Sequence, residues 1–189
     1  MFSSEDITAA LTTLRANGII LYPTDTIWGL GCDATSQESI EKIFRIKSRD
    51  LNKSLLILVN STQMLERYVC DIPEIAFELI NVTEDPLTII YPRGKNLAKG
   101  VCSEDGSVGI RICNDDFCNE LITRLRKPLV STSANFSGKP GPQFFDEIEK
   151  ELIDSIDYVV KYRQDDRQKH SPSPVIKLNS DGTIKIIRK

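Results

Sequence analysis

Histidine is nearly absent: the 189-residue chain has one, His170. A multi-histidine metal site is thereby excluded, and any Ser-His-Asp or Cys-His mechanism would have to use that single residue. His170 sits in Arg167-Gln168-Lys169-His170-Ser171-Pro172, a polar stretch where a solvated surface side chain is the plain reading. A catalyst built on this chain must draw on cations, hydroxyls and backbone amides instead. Paired cysteines are missing as well. Cys32, Cys70, Cys102, Cys113 and Cys118 are odd in number and form no C-x-x-C, which fits reduced thiols better than a disulfide frame or a zinc site. No stretch approaches the roughly 20 apolar residues of a membrane span. The start, Met1-Phe2-Ser3-Ser4-Glu5-Asp6, lacks the basic segment and apolar run of a secretory signal, so a cytoplasmic protein is expected. An excess of positive charge is absent too. With 24 Lys+Arg against 27 Asp+Glu and a net charge of -3, the body is not built to coat nucleic acid, although a local basic cleft is compatible with those totals. There is no G-x-x-x-x-G-K-[ST], and Gly106-Ser107-Val108-Gly109 is not a G-x-G-x-x-G, so neither familiar phosphate cradle is present.

What is present reads as an α/β protein long enough to bury a substantial core. Ile7, Ala10, Leu11 and Leu14 make a helical stripe stopped by Gly18, and a short strand follows at residues 19–22. Thr35-Ser36-Gln37-Glu38 reads as a capping box opening a helix with Ile40, Ile43 and Phe44 on one face. Leu55 to Val59 is a continuous apolar run and hence a strand buried on both faces. Further helices are predicted over 62–69, 73–82, 116–126 and 144–153, and further strands over 87–91, 107–112, 128–132, 158–160, 175–178 and 183–187. Asn179-Ser180-Asp181-Gly182 marks a hairpin between the last two strands. No repeat or linker divides the chain. A single domain over 1–189 with one mixed, twisted sheet is the expectation. A doubly wound parallel sheet competes with it, but the terminal hairpin and the long loop from Pro92 to Gly106 count against that topology.

Three polar segments each sit at the end of an apolar strand, where open α/β sheets place ligands. "YPTDTIWGLGCDA", Tyr22 to Ala34, offers the hydroxyls of Thr24 and Thr26, the carboxylate of Asp25, and Gly29 and Gly31 for close backbone approach to a ligand. A wide turn whose threonines cap their own backbone explains the same residues. "KSRDLNKS" places Lys47, Arg49 and Lys53 just before a buried strand, a cluster that suits a polyphosphate and equally a solvated helix end. "PLVSTSANFSGKPGP" ends a strand in Ser131-Thr132-Ser133 followed by Ala134-Asn135, a row of small donors for phosphate, carboxylate or ribose oxygens, or a turn held by its own side chains.

Together with "DPLTIIYP" and "SVGIRI", these segments occur in the order and spacing of the YrdC/Sua5 family of threonylcarbamoyl-AMP synthases, which the chain resembles from about Leu11 to Arg188. The resemblance implies a YrdC-like twisted open mixed sheet with flanking helices and a positively charged cleft. It implies a reaction that joins L-threonine, bicarbonate and ATP into threonylcarbamoyl-AMP and pyrophosphate. The product supplies the threonylcarbamoyl group for N6 of adenosine 37 in tRNA, a transfer performed by separate proteins. By the same resemblance Lys47 and Arg49 are the catalytic cations. Lys47, Arg49, Lys53, Ser133, Asn135 and Ser173 would bind ATP, with Mg²⁺ held through the nucleotide and no metal site on the protein. Thr24, Thr26, Arg111 and Ser131 would hold the amino acid.

Some positions depart from the family pattern. Ser54 stands where proline is usual, Glu84-Asp85-Pro86 replaces a Pro-Gly-Pro, and Pro174 after Ser173 removes a backbone donor. Longer members carry a further C-terminal domain behind a linker, and the sequence to Lys189 corresponds to the short form. Two other readings stay open: a non-enzymatic RNA-binding module using the basic cleft, and a paralogue acting on another substrate.

Overall fold

The computed structural model describes residues 2–48 and 54–189, and its helices and strands alternate as an α/β fold. Helix α1 (Ser4–Arg15) begins where Ser3 Oγ accepts a hydrogen bond from the Asp6 amide, with Glu5 and Asp6 in the first turn where the helix dipole favours negative charge. The left-handed residue that ends it is Asn17, at φ 58°, with Gly18 following. Asp6 is buried because it also ties down the far end of the chain, accepting from the Tyr158 hydroxyl at 2.7 Å and from the Tyr162 amide at 2.9 Å.

The strands divide into two mixed sheets rather than the single sheet expected. β1 (Ile20–Tyr22) and β2 (Gly29–Gly31) pair with β7 (Thr132–Ser133) and β8 (Tyr158–Val159) in the order β7-β2-β1-β8. β3 (Leu56–Val59), β4 (Thr88–Tyr91), β5 (Val108–Ile112), β6 (Leu129–Val130), β9 (Val175–Leu178) and β10 (Ile184–Arg188) form the larger sheet, ordered β10-β9-β4-β5-β3-β6. Parallel pairs (β3 with β5, β4 with β9) are mixed with antiparallel ones, which rules out the doubly wound alternative.

The two sheets are joined at Ser131. The expected single strand over 128–132 is two short strands, β6 in the large sheet and β7 in the small one, and the chain changes sheet between them. Ser131 still donates its amide to Leu56 O at 2.8 Å, so the crossing is tightly held. The two diverging sheets leave a wedge beside this crossing. Small residues are needed there, and Gly31 shows why: a Cβ on it would lie 2.5 Å from the Tyr22 ring and 3.1 Å from Val130 O. The close approach that Gly31 permits is to Tyr22, not to a ligand as its place in the opening loop suggested.

α2 (Gln37–Lys47) is capped by Ser36, whose Oγ accepts from the Ser39 amide at 3.3 Å. Thr35, the cap expected from the sequence, instead donates its hydroxyl to Asp33 Oδ1 at 2.7 Å. α3 (Thr62–Leu65), α4 (Glu74–Val82) and α5 (Asp116–Leu125) follow, α3 and α4 shorter than the sequence pattern suggested. The helix predicted over 144–153 is broken into a single 3₁₀ turn at Phe145–Glu147 and the short α6 (Lys150–Asp154). Glu147 bends back to accept from the Gln143 amide at 2.7 Å, a capping contact that starts the turn, and the extended backbone of Ile148 (φ -71°, ψ 128°) ends it. The core packs α1 and α5 together, with Ile7, Leu11, Leu14, Leu121 and Ile122 buried. No helix among the described residues is long and apolar enough to cross a membrane.

Candidate active site

The wedge between the sheets is an open cleft of about 440 Å³, within the range of small-molecule sites. Its walls come from the opening loop at Thr26 to Gly29, from β4 and β5, from the Ser131–Asn135 crossing, and from Pro172 to Val175. β4 and β5 present Thr88, Ile90, Gly109 and Arg111 to it, alternate residues of one sheet face. Three cations line the cleft, Arg111, Lys139 and Arg188, and among the described lining residues there is no carboxylate.

Arg111 is the most constrained of them. Its side chain is 4% exposed, and Nη2 lies 2.6 Å from Asp25 Oδ1, itself 7% exposed. Nη1 donates to Ser173 Oγ at 3.2 Å, and Ser173 Oγ is 2.7 Å from Thr88 Oγ1. Arg188 reaches the same residue from the last strand, donating from Nη2 to Ser173 O at 2.6 Å. Burial and the neighbouring Arg111 lower the Arg188 pKa, as expected for two guanidiniums facing one pocket. Arg111 Nε is buried with no partner. An unsatisfied buried donor costs about 1–3 kcal/mol.

The opening loop is ordered by its own threonines. Thr24 Oγ1 donates to Ile27 O at 2.9 Å and accepts from the Thr26 amide at 3.0 Å. Since the Thr24 hydrogen is committed, the 3.0 Å contact between the two hydroxyls has Thr26 as donor. Thr26 Oγ1 thus offers lone pairs to the cleft it lines, which suits a ligand N–H. Thr24 does not line the cleft; it shapes the turn that presents Thr26.

Opposite lies the Ser133–Asn135 turn. Ser133 Oγ donates to Asn135 Oδ1, and Asn135 Nδ2 donates to Lys139 O. Beneath it Lys47 is 2% exposed, its ammonium donating to Ser133 O at 2.5 Å and to Asn135 O at 2.7 Å. Lys47 therefore sets the conformation of the turn and brings a positive charge to the back of the cleft wall.

The chain is similar to known proteins in sequence and fold. The Sua5/YciO/YrdC family model, described as "Telomere recombination", matches residues 12–189. The chain belongs to the Sua5/YciO/YrdC family. It is 32% identical to a threonylcarbamoyl-AMP synthase of Pseudoalteromonas translucida over 85% of its own length and 87% of that protein's. It is 34% identical to a putative threonylcarbamoyl-AMP synthase of Methanocaldococcus jannaschii, covering 89% of this chain and 78% of the other. Among solved structures, E. coli YciO superposes with a TM-score of 0.84 at 25% identity, covering 99% of this chain and 90% of YciO. P. abyssi Sua5 complexed with L-threonine superposes with a TM-score of 0.81 at 26% identity over 91% of this chain. The chain spans about half of that Sua5 protein, 50% of its length.

Within this Sua5/YciO/YrdC fold, Thr26, Arg111, Ser131, Ser133, Asn135 and Ser173 are brought to one cleft. Lys47 sits behind its wall and Thr24 behind its loop, while Arg49 and Lys53 lie outside the described residues. Sequence reasoning passed over Thr88, Lys139, Arg188 and the pairing role of Asp25. Thr88 lay in a predicted strand, whereas Arg188 lay one residue past the strand expected at 183–187, and only the pairing of β4 with β9 and β9 with β10 shows that both meet Ser173.

Proposed function

We propose that the cleft is the active site of an L-threonylcarbamoyladenylate synthase, a nucleotidyltransferase acting in the cytoplasm in the t⁶A modification of tRNA. The observation that carries this reading is the cleft's lining, which among the described residues is cations and hydroxyls without a carboxylate, with Arg111 aimed by Asp25 at one end. The relatives named threonylcarbamoyl-AMP synthase and the threonine complex of P. abyssi Sua5 support it.

The chemistry requires what the cleft supplies. The amine of threonine adds to bicarbonate, losing water, to give a carbamate. A carbamate oxygen then attacks the α-phosphorus of ATP, and the bond to the bridging oxygen breaks to release pyrophosphate. Both reactants are anions, so positioning and charge neutralisation carry most of the catalysis. Arg111, aimed by Asp25, supplies the positive charge for the amino acid's carboxylate, and Thr26 Oγ1 accepts from the nitrogen that becomes the carbamate. Ser131 orients the same end. Ser133, Asn135, Ser173 and Arg188 receive the nucleotide, with Lys47 fixing the Ser133–Asn135 turn and adding its charge. Arg49 and Lys53, outside the described residues, are assigned to the phosphates by the family resemblance alone. Mg²⁺ bound through ATP would supply further charge neutralisation, and a lining without carboxylates among the described residues fits an ion carried by phosphate oxygens. The product's threonylcarbamoyl group passes to tRNA through separate transfer proteins, and RNA binding at the basic cleft is the second reading.

The test is product identity. Incubation with ATP, L-threonine and ¹³C-bicarbonate is expected to yield an AMP adduct carrying threonine and one ¹³C. An AMP adduct without the label overturns the assignment.

A further inference from the structure

Gly29, Gly109 and Gly141 are the glycines among the described lining residues of the cleft, and packing accounts for two of them. A Cβ on Gly29 would lie 3.3 Å from Thr132 O, and one on Gly141 would lie 3.4 Å from Ile27 Cδ1, both at the tight end of contact. Gly109 is different. It stands inside β5, where a glycine weakens a strand, and its φ is not positive. An added Cβ would meet Thr88 Cγ2 at 3.8 Å and Ile90 Cγ1 at 3.9 Å, ordinary van der Waals distances. Neither backbone conformation nor crowding calls for a glycine there.

The surroundings show what the missing side chain leaves room for. Gly109 pairs with Ile90 of β4 on one side and with Leu56 of β3 on the other, and all three line the cleft. Leu56 and Ile90 are partly exposed, while Ile57 and Ile89, turned the opposite way, are 0% and 1% exposed. The apolar surface left uncovered on these strands thus faces the cleft. With strands about 4.8 Å apart, Leu56 and Ile90 bracket a floor roughly 10 Å wide whose middle carries no side chain. The atoms nearest that middle are carbon, so the floor suits an uncharged body. Charge lies at its margins, with Arg111 two residues farther along β5 and Arg188 on β10. Threonine has a single methyl to offer such a floor, whereas the flat base of a nucleotide spans it.

We propose that Gly109 is a specificity-determining residue of the cleft. The base of the bound nucleotide lies flat over its Cα between Leu56 and Ile90, and a side chain at this position lifts the base away. This rests on the reading of the cleft as an ATP site and adds to it the place of the base.

Gly109→Val in the full chain tests it, with ATP, inorganic tripolyphosphate and L-threonine titrated separately by calorimetry. The substitution is expected to weaken ATP roughly tenfold or more, the effect of overpacking one contact, and to leave tripolyphosphate, which has no base, and threonine unchanged. Gly109→Ala should weaken ATP less than Gly109→Val does. Both variants should melt at or above the wild-type temperature, because the added Cβ meets ordinary contacts and a side chain favours the strand. Unchanged ATP affinity in folded Gly109→Val, an equal loss of tripolyphosphate or threonine, or a lowered melting temperature for Gly109→Ala overturns the proposal alone. Wild-type protein that binds no ATP overturns the reading of the cleft and the proposal with it.

Discussion

Arg111 Nη2 and Asp25 Oδ1 stand 2.6 Å apart with both side chains buried, so a residue of the opening loop aims the guanidinium of β5. The same loop conformation is locked by Thr24, and of the guanidinium's three nitrogens Nε alone has no partner. Loop and strand thus form one unit, ready for an anion. Asp25 is a positioning residue in this account, acting through Arg111.

Asp25→Asn is expected to raise the KM for threonine at least tenfold while the KM for ATP changes little. Stability should fall as well, because breaking a buried pair from one side costs about 3–5 kcal/mol. Steady-state kinetics with each substrate varied, alongside thermal unfolding, checks this. An unchanged threonine KM would remove Asp25 from the site.

Lys47→Ala removes three donated hydrogen bonds from the Ser133–Asn135 turn and a charge from behind the cleft. Losing a charge-assisted contact costs about 1.5–3 kcal/mol, or roughly ten- to over a hundred-fold in rate where it is expressed in the transition state. Product formation by the folded variant should fall by at least that lower factor. Wild-type turnover in folded Lys47→Ala would sink the role given to Lys47.

Much of this was legible in the residues. The strand pattern over 107–112 and the continuous run at Leu55 to Val59 are local signals, and strands formed within both, at Val108–Ile112 and Leu56–Val59. The polar segments at strand ends marked the cleft for the same reason. What sequence did not carry was long-range. Nothing local says that Ser131 lies where the chain leaves one sheet for another, or that Lys47 folds back to carbonyls 86 and 88 residues away. Arg188 was unreadable because its partner, Ser173, is reached only through the β9–β10 hairpin. The cap moved by one residue: Asp33 Oδ1 accepts from both the amide and the hydroxyl of Thr35, and Ser36 Oγ accepts from the Ser39 amide instead.

Asp105 supplies a pH test. Hydrogen bonds from Ser107, then the Lys177 ammonium, lower its pKa to about 2 and tie the 92–107 loop to β9. A carboxylate depressed in the folded state stabilises above its unfolded pKa, near 3.8, and that contribution fades as pH falls toward 2. Asp105→Asn should therefore unfold at lower temperature than wild type at pH 5 to 7, with the two converging near pH 2, as followed by Tm against pH. A constant difference down to pH 2 would contradict the linkage.

Gly31→Ala places a methyl 2.5 Å from the Tyr22 ring beside the sheet crossing. Overpacking of this kind costs about 1–3 kcal/mol, to be read from denaturant unfolding. An unaffected midpoint would mean that Tyr22 can move aside freely.

The central claim is that one cleft makes pyrophosphate from ATP only when threonine and bicarbonate are both present. The direct measurement is pyrophosphate release with ATP, L-threonine and bicarbonate each omitted in turn. All three omissions should abolish release, since without bicarbonate there is no carbamate to adenylate and without threonine there is no amine. L-Serine should support it about tenfold more weakly, the worth of one methyl group in an apolar contact. Release that persists without threonine, or that follows another acceptor equally well, would contradict the account.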